Sequence, residues 1–215
     1  MYLNRGLPRE FRHKFDKVFQ QNLFHGTTSK SGSGSSIEQT QEISRQLPDL
    51  ISRLNIQSVL DIPCGDLEWM SKVELAGAKY VGGDVAPSLI AHLRTQFPEK
   101  EFAVVDISKD SLPKVDLIFC RDLFVHLSNK DVISSIKNIK ASGSLYLATT
   151  TFTDRSKNQD LPFLSRSVAW RTINLELSPF NFSPPLILIN ERCTESNGDF
   201  SDKSIGIWKI SDLSN

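Results

Sequence analysis

The sequence predicts an α/β fold in which helices cover both faces of a mostly parallel sheet. From Ser58 onward, short runs rich in branched apolar residues alternate with segments of helical periodicity. Strict alternation of strand and helix is typical of parallel sheets. The early strand-like runs also end at or near acidic residues. No apolar run approaches the roughly 20 residues that a membrane-spanning helix needs, which excludes a helical membrane protein.

Residues 1–54 are predicted to form a helical cap before the main domain, which spans 55–215. A helix is expected over residues 8–24, because apolar side chains repeat there at helical spacing. These side chains are Phe11, Phe15, Val18, Phe19 and Leu23. A second helix is expected from Ile37 to Leu54, with Ser36 as its N-cap and a bend or restart at Pro48.

The main domain contains seven strand-like runs with helices between them. The runs are 58–61, 79–84, 102–106, 115–120, 143–148, 186–190 and 205–210. Helices are expected at about 67–75, 87–97 and 129–139. An insert at 151–185 breaks this rhythm with prolines and aromatic residues. Long irregular inserts after a central strand often form a lid or a wall of a substrate site, although a structural crossover fits the same composition.

Composition restricts the partners and the cellular compartment. The 25 Lys and Arg residues balance the 25 Asp and Glu residues at a pI near 6.9, so no basic field favours nucleic acid. An odd count of three cysteines and the absence of a signal-peptide pattern predict a cytoplasmic protein with reduced thiols. No metal site is expected, because the four histidines form no H-x-x-x-H pair.

Acidic residues at successive strand ends predict the position of a binding site. Open α/β sheets bind ligands beyond the carboxyl ends of their strands, where Asp61, Asp84 and Asp106 are expected. Asp84 follows Asp61 by 23 residues, close to the offset at which a carboxylate binds a ribose diol. Asp106 is placed to accept a hydrogen bond from a purine amine. These carboxylates favour a neutral or cationic nucleoside over a polyphosphate.

The loop after the first predicted strand disfavours a dinucleotide or ATP. It reads Asp61-Ile-Pro-Cys-Gly-Asp66, with a single glycine and two acids, and lacks the G-x-G-x-x-G pattern. Gly65 would let backbone approach a ligand, and a following helix would direct free N–H groups toward it. The Gly/Ser stretch Ser31–Ser36 is either a flexible tether or a loop that closes over the ligand.

The order and spacing of these motifs resemble the class I S-adenosylmethionine-dependent methyltransferases. The segments that carry the resemblance are Val59–Asp66, Tyr80–Asp84, Val105–Ile107 and Asp116–Leu123, within about residues 55–150. The Pro63–Asp66 form of the loop resembles a subgroup and lacks the second and third glycines common in the family. The resemblance implies a Rossmann-like sheet of seven strands whose last strand is antiparallel, and S-adenosylmethionine as the cofactor.

Carried over by position, the resemblance implies where the cofactor contacts the chain. The methionine end would contact Asp61, Gly65 and Asp66. The ribose would contact Asp84, and the adenine would contact Asp106 and Ile107. The sulfonium would lie above Cys120, Arg121 and Asp122. Cys64 of the same loop is expected to contact the cofactor as a small packing residue rather than as a nucleophile. Trp69 is also a candidate for cofactor binding, and it belongs either to the core or to a wall of this site.

The predicted reaction is methyl transfer to a small polar acceptor, such as a sugar or another hydroxyl. His126 is the first candidate for the general base and Asp122 the second, because hydroxyl nucleophiles usually need a proton acceptor. The alternative for His126 is a packing role at the sheet edge. Trp170, Arg171 and Asn174 of the insert are candidates for acceptor binding. Two other functions stay open, a non-catalytic cofactor-binding module and a methyltransferase acting on protein or nucleic acid.

Overall fold

The computed structural model describes residues 9–23, 29–161 and 169–213, with side chains from residue 15 onward. Two predicted features lie partly outside this range. They are the N-terminal helix predicted over 8–24, at its residues 8 and 24, and the 151–185 insert, at residues 162–168. Every helix in the described part of the chain is too short or too polar to cross a membrane.

Seven strands form one mixed sheet, as the sequence predicts. They are β1 (Ser58–Asp61), β2 (Lys79–Asp84), β3 (Glu101–Val104), β4 (Leu117–Cys120), β5 (Tyr146–Phe152), β6 (Ile187–Asn190) and β7 (Lys203–Lys209). Their spatial order is β3-β2-β1-β4-β5-β7-β6. The first five strands pair in parallel, and β7 runs antiparallel between β5 and β6.

Helices cover both faces of this sheet. The described helices are α1 (Arg9–Gln21), α2 (Gln41–Arg53), α3 (Pro87–Gln96) and α4 (Asn129–Ala141). Side chains alternate across a strand, so Val59 packs in the core beneath α2 and α3 while Leu60 packs in the core beneath α4. Both cores are buried, and α2 shares its core with the sheet rather than forming a separate one.

Local chemistry explains where two of these helices begin. Pro87 occupies the first turn of α3, where a missing N–H costs nothing. Ser128 caps α4, because its hydroxyl accepts a hydrogen bond from the backbone N–H of Asp131 at 3.1 Å. In α2 the cap is Thr40 rather than Ser36, whose hydroxyl instead accepts from the N–H of Gln39 at 3.3 Å.

The helix predicted at about 67–75 is wrong. This segment contains a single 3-10 turn, Met70–Lys72. Leu67 has φ +60°, a left-handed conformation that no α-helix interior contains. Its apolar side chains pack individually into the core beneath α2 and α3. No α-helix N-terminus therefore follows β1, and any ligand there must be held by side chains and loop backbone.

Candidate functional site

A cavity of about 450 Å³ lies at the carboxyl ends of β1, β2 and β4. Its walls also include residues 30–35, parts of the 151–185 insert and the connection between β6 and β7. This is the edge at which parallel α/β sheets bind their ligands. The parallel strands thus bring together residues that are distant in sequence.

Two predicted carboxylates, Asp61 and Asp84, line the cavity from adjacent strands. Both are almost fully buried. Tyr80 donates its hydroxyl to Asp61 at 2.8 Å, and the N–H of Ala86 donates to Asp84 at 3.0 Å. Burial raises the pKa of Asp61 to about 7 and the pKa of Asp84 to about 6. A cationic or hydroxyl-bearing ligand would offset this cost of burying acidic groups.

The predicted glycine, Gly65, is approached closely by another part of the chain. Gly65 has φ +55°, and a Cβ added there would lie 2.5 Å from the hydroxyl oxygen of Ser31. Asp66 holds the same segment, because its carboxylate accepts from the Ser29 hydroxyl at 2.9 Å and the Lys30 N–H at 2.6 Å. Residues 30–35 thereby line one wall of the cavity. Of the two interpretations of Ser31–Ser36, this arrangement favours a loop that covers the site.

Cys64 and Trp69 also line the cavity. Burial raises the pKa of the Cys64 thiol well above its usual range, which favours the protonated thiol and agrees with a packing role. The Trp69 ring packs 6.0 Å from that of Phe119, and the Arg121 guanidinium lies 5.7 Å from the Trp69 ring centre. Trp69 is therefore both a core residue and a cavity wall.

A buried ion cluster lies beside β4 and consists of Arg121, Asp122, Glu191 and Lys203. All but Glu191 line the floor of the cavity. Arg121 pairs with Glu191 at 2.6 Å and with Asp122 at 3.1 Å. Lys203 pairs with Asp122 at 2.6 Å and lies 3.6 Å from Glu191. Two cations and two anions give the cluster no net charge, which offsets much of the cost of burying it.

Asp122 is poorly suited to the role of general base. Burial alone would raise its pKa, but the adjacent Arg121 and Lys203 hold the pKa far below its usual range. Its carboxylate is therefore ionised and has little affinity for a proton. Asp122 lines the cavity with φ +57°, and both its N–H and its carboxylate bond to the Thr150 hydroxyl. These contacts fix its orientation and favour a positioning role.

His126 lines the cavity near Asp122, in a 3-10 turn that follows β4. Its Nδ1 lies 3.0 Å from the carbonyl oxygen of Ala169. Because a carbonyl only accepts, Nδ1 carries the proton and a neutral ring bears its lone pair on Nε2. The ring of Phe15 packs edge-on against it at 6.3 Å.

Cys120, Asp106 and Ile107 are buried and do not line the cavity. Cys120 lies within β4. The Asp106 carboxylate accepts from the Ser108 hydroxyl at 2.6 Å and lies 3.2 Å from the Lys109 ammonium. These local contacts give Asp106 a structural role. Its predicted contact with adenine remains a prediction without support from its position.

The three insert residues predicted to bind the acceptor lie in different places. Trp170 lines the cavity and is 46% exposed. Arg171 does not line it, and its guanidinium donates to the Leu127 carbonyl at 3.0 Å and the Asn129 side chain at 2.8 Å. Asn174 is buried outside the cavity, where its amide bonds to backbone groups.

Several cavity residues were not predicted from the sequence. They are Phe152, Glu195, Ser196, Phe200 and Lys203. Most lie in the connection between β6 and β7 or at its end, in a part of the chain without a recognised motif. The proline and aromatic content of the insert is a sequence signal that a wall of the site includes residues such as Phe152 and Trp170. It gives no signal for the residues of the β6–β7 connection. Within the described residues, no group of three or more metal-binding side chains is arranged around a common point.

Comparison with known proteins supports a methyltransferase. Residues 59–142 match the family model described as "Methyltransferase domain". No curated relative matches the sequence. This match covers the strands and loops that form the carboxylate side of the cavity.

Two solved structures show the same fold. One is the 1,6-didemethyltoxoflavin-N1-methyltransferase of Burkholderia thailandensis, with that compound and S-adenosylhomocysteine bound. It is 13% identical, covers 97% of this chain and 92% of its own, and has a TM-score of 0.64. The other is the N-methyltransferase NodS of Bradyrhizobium japonicum WM9. It is 16% identical, covers 80% of this chain and 96% of its own, and has a TM-score of 0.55.

The residues of the cavity fit S-adenosylmethionine. Asp61 and Asp84 suit its ammonium and ribose hydroxyls, and the close approach at Gly65 leaves no room for a side chain. The methyltransferase-domain match over residues 59–142, which is less than half of the chain, and the shared fold support an S-adenosylmethionine-dependent methyltransferase with S-adenosylmethionine as its cofactor.

Proposed function

We propose that this enzyme methylates a hydroxyl group of a small molecule, with His126 as the general base. The observation that carries the proposal is the hydrogen bond between His126 Nδ1 and the Ala169 carbonyl, in the wall of the cavity. With Nδ1 as the donor in this contact, we assign proton acceptance to Nε2. An imidazole titrates near neutral pH, which suits removal of a hydroxyl proton during transfer.

The cofactor would be held from the ends of β1 and β2. We assign Asp84 to the ribose and Asp61 to the ammonium of the methionine end. Gly65 and the covering segment at residues 30–35 would shield the cofactor from water. S-adenosylmethionine supplies an activated methyl group on a cationic sulfur. The remaining task of the protein is to hold the acceptor oxygen in line with that methyl group.

Asp122 and Arg121 would orient the reactants rather than exchange protons. Asp122 is ionised and points toward the cavity, so its charge favours a cationic sulfur nearby. Arg121 keeps Asp122 in place and donates to the Gly34 carbonyl at 2.9 Å. One side chain thus connects the floor of the site with the covering segment.

The cavity argues against a non-catalytic binding module. It continues beyond Asp122 to Trp170 and Phe200, which leaves space for an acceptor. The balanced charge of the chain argues against nucleic acid as the acceptor. Nitrogen is the second candidate for the acceptor atom, because both solved relatives named above are N-methyltransferases.

Calorimetry and a transfer assay test the proposal. The full chain should bind S-adenosylmethionine and S-adenosylhomocysteine, and then transfer a radiolabelled methyl group to members of an alcohol and phenol panel. His126→Gln should lower kcat by about a hundredfold or more, a typical loss for a general base, without weakening S-adenosylhomocysteine binding.

His92→Gln is the matched control, because His92 is exposed and does not line the cavity. It should leave kcat unchanged. An undiminished kcat in His126→Gln would remove the base from the proposal, and no heat with either cofactor form would remove the proposal itself.

A further inference from the structure

The acceptor end of the cavity is lined mainly by aromatic rings. Phe200 packs edge-to-face against Trp170, with ring centres 4.9 Å apart, and against Phe152 at 6.1 Å. The three rings form an aromatic corner, Phe152, Trp170 and Phe200. The rings of Phe15 and His126 line the same cavity.

The charged side chains at this end already pair with protein groups. Lys203 and Asp122 bind each other at 2.6 Å. Glu195 accepts the Ser33 hydroxyl at 2.6 Å. A sugar exposes many hydroxyls that need polar partners, and each one buried without a partner costs binding energy. The acceptor end is therefore better matched to a flat apolar ring than to a carbohydrate.

Trp170 has the features of a stacking surface. It is one of the few large apolar residues with high exposure, 46%, and it lines the cavity. Its contact with Phe200 is nearly perpendicular, at 77°, so the edge of one ring meets the face of the other. Stacked and edge-to-face ring contacts both stabilise a bound aromatic compound.

We infer that the acceptor is an aromatic or heteroaromatic ring that carries the methylated hydroxyl and binds in the aromatic corner. This inference rests on the proposed function. In the reaction, the oxygen of the hydroxyl attached to the ring bonds to the methyl carbon as the bond between that carbon and sulfur breaks. The electron pair of that bond stays on sulfur, and the hydroxyl proton goes to His126 Nε2. The products are an aryl methyl ether and S-adenosylhomocysteine.

Binding of two probes distinguishes the ring from a sugar. The full chain, saturated with S-adenosylhomocysteine, is titrated with phenol and with methyl α-glucopyranoside by calorimetry and ligand-detected NMR. Phenol should bind and the glucoside should not. Trp170→Ala should weaken phenol binding by about fivefold, the size of one aromatic contact, and Trp170→Phe should restore it.

The controls separate this inference from the function on which it rests. Leu188→Ala removes an exposed apolar residue outside the cavity and should leave phenol binding unchanged. S-adenosylhomocysteine affinity should be equal in all variants, which shows that each is folded. Tighter binding of the glucoside, no phenol binding, or undiminished phenol binding in Trp170→Ala would overturn the aromatic acceptor. Failure of S-adenosylhomocysteine to bind the unmodified chain would overturn the proposed function first.

Discussion

Lys203 and Asp122 are separated by 81 positions in sequence, yet the Lys203 ammonium lies 2.6 Å from a carboxylate oxygen of Asp122. The contact joins the first residue of β7 to the second residue after β4. It keeps Asp122 ionised at the cavity surface and completes the buried ion cluster. The position of β7 in the sheet therefore affects the chemistry of the site as well as the stability of the fold.

Removal of Lys203 should destabilise the protein strongly. Lys203→Met leaves Asp122 and Glu191 with Arg121 as the one remaining cation of the cluster. Loss of one partner from a buried ion pair typically costs about 3–5 kcal/mol. Chemical denaturation should show this loss, whereas Lys209→Met, at the exposed end of the same strand, should change the free energy of unfolding little.

The double variant Lys203→Met, Glu191→Gln tests the cause of that loss. It removes one charge of each sign and leaves the Arg121–Asp122 pair. Its free energy of unfolding should exceed that of Lys203→Met alone. If the two substitutions lower the free energy of unfolding additively, the loss in Lys203→Met does not arise from an uncompensated buried charge.

Asp84→Asn should weaken cofactor binding, because we place Asp84 against the ribose. Loss of a charged hydrogen-bond partner typically costs about 1.5–3 kcal/mol, or roughly tenfold or more in Kd. Asp106→Asn is a matched comparison, since it also alters a buried strand-end carboxylate but one outside the cavity. Calorimetry with S-adenosylhomocysteine should find affinity unchanged in Asp106→Asn. A comparable loss there would place Asp106 in the adenine site, as the family resemblance implies.

Cofactor affinity should depend on pH through Asp61 and Asp84. Their pKa values of about 7 and about 6 mean that both carboxyls gain protons as the pH falls toward 5. A bound cation favours the ionised form, so binding releases protons and S-adenosylmethionine affinity should rise between pH 5 and pH 8. Calorimetry in two buffers of different ionisation enthalpy measures the released protons.

S-adenosylhomocysteine keeps the ammonium and the ribose that we assign to Asp61 and Asp84, and its affinity should show a similar dependence on pH. Asp61→Asn should flatten the rise near pH 7 for S-adenosylmethionine. A profile for S-adenosylmethionine that is flat across this range in the unmodified chain would show that neither carboxyl senses the cofactor.

The covering segment should loosen when its contacts to the β6–β7 connection are removed. Ser33 donates to Glu195 at 2.6 Å, and Gln39 exchanges hydrogen bonds with Thr194 at 2.7 and 3.2 Å. Glu195→Ala should speed amide exchange in residues 30–40 by about fivefold, as loss of one net hydrogen bond predicts. Glu176→Ala, in the exposed part of the insert, should leave that exchange unchanged. Equal exchange in both variants would show that Glu195 does not hold the segment.

The sheet was predictable from the sequence because its signals are local. Alternation of apolar runs and helical segments placed all seven strands to within a few residues. The segment after β1 was not predictable in this way. Its apolar residues have helical spacing, but the left-handed conformation at Leu67 and the contacts of Asp66 to the covering segment prevent a helix.

The carboxylate side of the site was also predictable from the sequence, since Asp61 and Asp84 end adjacent parallel strands. The buried ion cluster was not. Glu191 and Lys203 flank ordinary strand sequences, where charged residues usually face solvent. They reach Arg121 and Asp122 because β7 lies beside β5 rather than at the sheet edge. The order of strands in a sheet leaves no local pattern in the sequence that would have indicated this cluster.

The location of β7 between β5 and β6 has a consequence for biosynthesis. Ribosomes add residues 203–209 after the other six described strands have been made, and β6 has no neighbour in the described sheet until they arrive. A nascent chain can therefore pair its five parallel strands early, but it gains Lys203 and the wall beyond Phe200 late. The site is therefore complete only after β7 has been synthesised.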